Sequence, residues 1–535
     1  MSRVRRRART LVGLLAVLPA VLAAACAKPY LPVRAELPAQ PAVPPDVVAA
    51  HTTFTGKHGT QLYARSWRPE GEVRGVLVIM HGLRDHGDHY APFAVRLVRR
   101  GYAVYAYDLR GHGRSAGRRV TVDSWSDYVD DLATYIGLVR AAEPGRPLFV
   151  FGHSMGGAIV GLWGQRAEAD AAGLIFSAPA LWIDKPPVAA AAILLSSATT
   201  PNVGALAPDN RGFSSDPEVT REMGKDALIF QPPGPVATAA GLIGAMERFW
   251  AGVHRLTLPL LMLHGTGDVL TAPAGSRAIY LRAGATDKTL RLYDGLFHDL
   301  VHEPRGGGER VQDDIMAWLD AHTGGPATGF PAPDLGRRLA GDKVRPAVAV
   351  TMQGRYLRSD GDDPVQGGSY DVRTRTVLGG ARAGWGIGLD SSLGSLDGLS
   401  YRVTAQPIGV GLVSCAGHVV TLGVGGGFSD PGGGVGFGWE VPVALDVGLQ
   451  LGPVRVLAWG HAAWVFSEDA RQDGSRTLSF VDEAEAGLAL RLGRNHRYWA
   501  SANAGTGPSL GVTVSELLGA RVYGVVLGLD LWGGN

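Results

Sequence analysis

Ten residues, LFVFGHSMGG from Leu148 to Gly157, restrict the fold more than any other stretch of this 535-residue chain. Four apolar residues of strand character run straight into Gly152-His153-Ser154-Met155-Gly156, and an Ala/Gly-rich stretch of helical character follows. A strand can become a helix in so few residues only if no side chains crowd the corner, which requires glycine on either side of the serine. The turn lifts the Ser154 hydroxyl above a sheet and aims a helix N-terminus at it, where developing negative charge is favoured. A glycine-rich turn with an idle serine is the plain alternative, and the strand before and helix after argue against it.

The surrounding pattern supplies the sheet. Apolar runs at Val76–Met80, Tyr102–Tyr107, Leu148–Phe151, Gly173–Phe176 and Leu260–Leu263 have the character of buried parallel strands. Pro259 precedes the last run, at a position where a missing N–H is tolerated. Helical stretches such as Trp125–Arg140 and Met155–Arg166 fall between, so a doubly wound α/β sheet is expected. Residues from 181 to about 256 interrupt the alternation and suit a cap over the site.

A serine hydroxyl needs a base held by an acid. On such a sheet the order along the chain is serine, acid, histidine. Asp268 comes off the end of the Leu260–His264 strand, and His298 follows the next one, Leu290–Tyr293. Asp294 and Glu303 compete for the acid role, but both lie too near His298 in sequence to orient it easily. Two backbone N–H groups must meet the oxyanion. Met155 offers one, and Leu83, after His81-Gly82 at the end of an early strand, offers the other. His81 precedes the serine and is read as structural.

Five segments, HGLRDHGDHY, YDLRGHGRSAG, GHSMGGAI, HGTGDVLTAP and DKTLRLYDGLFHDLVHE, then fall in order at fitting distances. Together they resemble the monoacylglycerol lipase and lysophospholipase family of α/β-hydrolases over about residues 52–322. The resemblance implies Ser154 as nucleophile, Asp268 as acid, His298 as base, an oxyanion hole from Leu83 and Met155, and no cofactor or metal. Leu83 stands where a smaller Ala is frequent in the lipase, so a narrower pocket is expected. The cap matches poorly.

The two ends are different in kind. Arg3, Arg5, Arg6, Arg7 and Arg9 lead into an apolar run from Leu11 to Leu22 and then Ala23-Ala24-Ala25-Cys26, the layout of an export signal over residues 1–26. Cys26 as a lipidated N-terminus and ordinary cleavage after Ala25 are both open. Residues 27–50 are Pro/Ala-rich and form a tether to a hydrolase domain over 51–323, and a second linker spans 324–343. With only Cys26 and Cys415 present, disulfides do not stabilise the fold.

From 344 to 535 helical periodicity vanishes and strict alternation begins, giving an all-β, barrel-like domain. Trp385, Ile387 and Leu389, or Val441, Val443, Leu445 and Val447, share one face, while Gly386, Gly388 and Asp390, or Asp446, Gly448 and Gln450, share the other. A soluble sandwich carries dense polar residues outside. An apolar face opposite a small, sparsely charged one suits an outer-membrane barrel better, and about eight strands fit. A barrel would make a lipid on Cys26 redundant.

A net charge of +2, most of it from the leader, gives no reason to expect nucleic acid. The expectation is an exported serine hydrolase of the bacterial envelope, outer-membrane-bound with a periplasmic catalytic domain, acting on monoacylglycerol or lysophospholipid. A peptidase or small-ester carboxylesterase is the alternative on the same fold. An outer-membrane structural or binding protein with an inactive hydrolase is the alternative of another class.

Overall fold

The computed structural model describes residues 41–183, 200–206, 209–340 and, apart from segments joining strands, 347–534, with 39, 193, 196 and 197. The leader, Cys26 and Cys415 lie outside the described residues. The chain divides near residue 342 into two compact units.

The first unit is built on ten strands: β1 Val48–Thr55, β2 Gln61–Arg68, β3 Gly75–Met80, β4 Tyr102–Tyr107, β5 Leu148–His153, β6 Gly173–Ser177, β7 Gly204–Leu206, β8 Gly234–Pro235, β9 Leu260–Gly265 and β10 Lys288–Tyr293. Eight form one sheet in the order β1-β2-β4-β3-β5-β6-β9-β10, and β7 and β8 pair separately within the cap. The pairings from β4 through β10 are parallel, while β1 and β2 add an antiparallel hairpin at one edge. That hairpin is polar enough to escape a search for apolar runs, and β1 begins inside the stretch expected to be tether. Strand order reverses around β3 and β5, so the ends of those strands flank a crevice, the usual ligand site of an open α/β sheet.

The interior explains the apolar runs. All six residues of β3, β5 and β9 are buried. One continuous core joins strands β3, β4, β5 and β9 to the helices Ala91–Arg99 and Gly307–Ala321. Trp318 lies at its centre, edge-on to Phe149 at 5.7 Å, and a Cβ on Gly173 would overlap its ring. Within the cap, Val236–Gly252 forms one helix of 17 residues.

The second unit comprises β11 Ala347–Ser359, β12 Gln366–Gly379, β13 Ala383–Ser395, β14 Leu399–Val413, β15 Val419–Asp430, β16 Gly438–Leu451, β17 Val454–Ala470, β18 Arg476–Leu492, β19 Asn495–Trp499, β20 Ala502–Leu517 and β21 Ala520–Gly534. The ten ring strands pair antiparallel with their neighbours, β21 returns to β11, and β18 pairs with β20. The result is a closed antiparallel barrel of ten strands, with the five-residue β19 as a side strand. Ten rather than eight strands fit because little chain is spent between them, only two residues separating β16 from β17. Pro407 falls where the β14–β15 register shifts, so its missing N–H breaks no ladder bond.

The barrel's polarity is the reverse of a water-soluble one. Trp385, Leu389, Leu445, Leu488, Leu490, Leu510, Val512 and Leu527 face outward and are exposed. Gln353, Asp371, Arg375, Gln406, Glu440, Arg455 and Arg491 are buried inside.

Trp318→Ala removes the largest fully buried side chain of the hydrolase core. It is expected to lower that domain's stability by about 3–5 kcal/mol, read as an earlier thermal transition with the barrel's transition unmoved.

Candidate active site

Strand β5 ends at His153, the helix Met155–Gly164 begins at Met155, and Ser154 is the single residue between them. Its backbone is left-handed, φ 52° and ψ −117°, a conformation that costs a non-glycine residue and persists only when surroundings enforce it. The enforcement is visible. Ser154 N–H donates to Ser177 O at 3.0 Å, and its carbonyl accepts from Ala180 N–H at 2.8 Å. A Cβ on Gly152 would collide with Gly156 and Gly157, and one on Gly156 with the carbonyls of Met80 and His81. Both motif glycines are therefore required by close backbone approach.

Asp268 and His298 are brought together as the sequence suggested. His298 Nδ1 lies 2.7 Å from Asp268 Oδ2, and both side chains are fully buried. A carboxylate can only accept, so Nδ1 faces it as the donor, and when the ring is neutral Nε2 is the nitrogen left with a lone pair. The same carboxylate receives Leu270 N–H at 2.8 Å, Thr271 N–H at 3.0 Å, the Thr271 hydroxyl at 2.9 Å and His264 Nε2 at 3.2 Å. Burial pushes its pKa up, but the charge of His298 and the bonds from His264 and His298 outweigh burial and hold it far below the carboxylate range.

The competing residues are elsewhere engaged. Asp294 is exposed and pairs with Arg337. Glu303 is buried and binds Ser215 N–H at 3.0 Å, the Ser215 hydroxyl at 2.7 Å and Phe297 N–H at 3.0 Å, tying the cap to the His298 loop. His81 uses both ring nitrogens, toward Gly82 O at 2.8 Å and from Leu109 N–H at 2.9 Å.

Ser154 borders a small cavity of about 20 Å³. Leu83, Phe213, Met223 and Ile229 line it on an apolar side, and Asp85, His89 and Asp299 on a polar one. Gly82 lies against Ser154, its notional Cβ 3.1 Å from the serine Cβ. This brings the His81-Gly82-Leu83 turn beside the nucleophile position, and Leu83 itself forms part of the wall.

A sequence profile described as serine aminopeptidase, S33 matches residues 71–305. Monoacylglycerol lipase of Mycolicibacterium smegmatis is 34% identical over 272 residues, covering 50% of this chain and 96% of that protein. Monoglyceride lipase of Rattus norvegicus is 30% identical, covering 49% of this chain and 87% of its own length. Caffeoylshikimate esterase of Arabidopsis thaliana is 31% identical, covering 49% and 82%. The chain belongs to the monoacylglycerol lipase family of α/β-hydrolases. Membership covers the N-terminal half, and no family profile matches the C-terminal region. This family member is a serine ester hydrolase.

Several residues of this lipase-family site were not legible in the sequence. Arg84, next to Leu83, donates to the carbonyls of Phe230 and Gln231 at 2.5 and 3.2 Å and so clasps the cap from the turn beside Ser154. His153 packs its ring 4.8 Å from His298. Burial, reinforced by the charge of His298, pushes the His153 pKa down to about 4, so it stays neutral beside His298.

The polar side of the cavity holds a histidine–aspartate cluster. His89 Nδ1 is 3.1 Å from Asp85, and its Nε2 is 3.8 Å from Asp299, which also binds His302 Nδ1 at 2.8 Å. His89, Asp299 and His302 have metal-ligand chemistry, yet the two rings stack 3.9 Å apart within 11° of parallel. Lone pairs confined to parallel planes cannot converge on one ion, so this is a charge cluster. Burial opposes charge on His89, but Asp85 and Asp299 outweigh it and raise its pKa from 6.5 to about 9.

A raised folded-state pKa gives stabilisation that is complete below pH 6.5 and disappears as pH climbs through about 9. The hydrolase is therefore expected to lose stability across that window, by roughly 2–3 kcal/mol. In denaturant titrations at stepped pH, His89→Gln should be less stable near neutrality and should lack the alkaline decline. An equal decline in that variant would assign it to another group.

Proposed function

We propose that this protein is an envelope-bound lipase cleaving acyl esters of the monoacylglycerol or lysophospholipid type. The observation that carries this reading is the buried Asp268–His298 pair beside a half-apolar cavity bordered by Ser154, in a chain whose relatives are named as lipases of monoacylglycerols.

In the proposed mechanism the Nε2 lone pair of His298 takes the Ser154 proton as the hydroxyl oxygen attacks the ester carbonyl. The backbone N–H groups of Leu83 and Met155 receive the oxyanion. Asp268 stabilises the imidazolium that forms, and the imidazolium then protonates the departing alcohol. Water, activated by the same histidine, releases the fatty acid and restores Ser154. The apolar side of the cavity suits the acyl chain, and the polar side suits the alcohol.

Ser154→Ala is expected to abolish turnover of monoacylglycerol and lysophospholipid esters and labelling by a fluorophosphonate, leaving about 10³–10⁴-fold catalysis over water. Asp268→Asn should lower kcat by about 10⁴ with little change in KM, and Asp294→Asn should be near wild type. The profile described as an aminopeptidase supports a second reading, so the ester panel includes aminoacyl amides. Faster cleavage of amides than esters would replace the lipase assignment.

We also propose that the barrel lies in the outer membrane, with the hydrolase on the periplasmic side. The support is physical. The outward face is apolar, the inward one charged, and the ring strands of 12–17 residues exceed the roughly 9–11 a tilted crossing needs. The export-type leader, with Cys26 open to lipidation, is consistent with that compartment. The full chain should stay in the membrane fraction after carbonate washing and show heat-modifiable gel migration. Leu445→Arg, midway along β16, should reduce insertion by a cost of about 2–4 kcal/mol. Recovery of the wild-type chain as a soluble periplasmic protein would end this proposal.

A further inference from the structure

Eight strands enclose a space that side chains can just fill, and sixteen or more leave an aqueous channel. At ten strands, the inward side chains decide whether the lumen is open. In the ring order, Arg373 on β12 and Trp459 on β17 are five strands apart in either direction, so they rise from opposite walls. The Arg373 guanidinium nevertheless lies 3.9 Å from the centre of the Trp459 ring. No pair in a ring of ten could span more of the lumen.

Other ties cross beside it. Arg375 reaches from β12 to Asp446 on β16, four strands away, and also forks onto Asp390 at 2.6 and 3.0 Å. Arg355 on β11 pairs with Glu485 on β18, three strands away. Glu485 in turn accepts from Trp459 Nε1 at 2.9 Å, which pins the aromatic ring that receives Arg373. Two small cavities, of about 40 Å³ each, occupy the lumen, and Arg373, Arg375, Asp446 and Trp459 line both. These four residues are therefore the partition between the two small cavities.

We propose that the barrel is a sealed anchor. The Arg373–Trp459 latch and its flanking ion pairs close the lumen, so the domain holds the lipase at the membrane without conducting ions or passing products. This rests on the membrane placement proposed above. Desolvation strengthens a cation–aromatic contact. Opening the partition would leave buried charges without partners, which is strongly unfavourable. The closed arrangement is therefore the resting one.

The test reconstitutes the full chain in planar bilayers of defined phospholipid, with insertion scored separately by heat-modifiable migration and protease protection. Inserted wild-type protein is expected to be electrically silent. Trp459→Ala and Arg373→Gln, which each remove one side of the latch, are expected to give discrete conductance steps, and Trp459→Phe, which keeps an aromatic face, should stay silent. Stepwise conductance by inserted wild-type protein would overturn the seal. Silence of both latch variants when inserted would overturn the latch. Failure of the wild-type chain to insert would instead refute the membrane placement. If Trp459→Ala does not fold, Arg373→Gln and the wild-type recording still decide.

Discussion

The negative charge of Asp268 is the fixed point around which the catalytic half is arranged. A buried carboxylate is costly unless donors surround it. Here the end of β9 and the loop after it supply backbone N–H groups from Leu270 and Thr271, the Thr271 hydroxyl and the His264 ring. His264 is oriented by Ser276 at 2.7 Å, so the acid rests on a chain of contacts. His298 is then held in one tautomer. Its loop is secured by Glu303 and by Asp299 N–H, which donates to Phe213 O at 2.8 Å. The cap thus touches the site twice, at the His298 loop through Phe213 and Ser215 and at the His81-Gly82-Leu83 turn through Arg84. A cap movement would be felt by the His298 loop and the Leu83 turn together.

The barrel obeys the same rule with opposite packing. Its outward face is largely apolar and many charged side chains are buried inside, where ion pairs neutralise them. Arg375 between Asp390 and Asp446, and Arg355 between Asp371 and Glu485, meet that requirement by bridging walls. Satisfying buried charge and filling the bore are then one act, and long arginines accomplish both.

The two halves combine into one functional proposal. A lipase acts on molecules that partition into membranes, and covalent attachment to a membrane barrel would keep the enzyme where substrate is concentrated. In that proposal chemistry stays in the α/β unit and location falls to the β unit.

The sequence by itself determined what is local. The sterics of the Gly152–Gly156 turn dictate a strand, a strained serine and a helix, and period-two alternation dictates which faces of β13 and β16 are apolar. Those constraints act between residues a few positions apart. It also placed Asp268 and His298 at strand ends, since strand order along the chain limits where such residues can emerge. Sequence separation already favoured Asp268 over Asp294, and only the tertiary structure shows that Asp268 meets His298 in space while Asp294 pairs with Arg337. The tertiary structure also revealed Arg84, His264, Glu303 and the His89–Asp299–His302 cluster, most of whose partners lie far off in sequence. In the β unit, strand number and the meeting of Arg373 with Trp459 follow from closing the ring. Closure is a property of all ten strands at once, so no single strand's pattern could encode which residues face each other across the lumen.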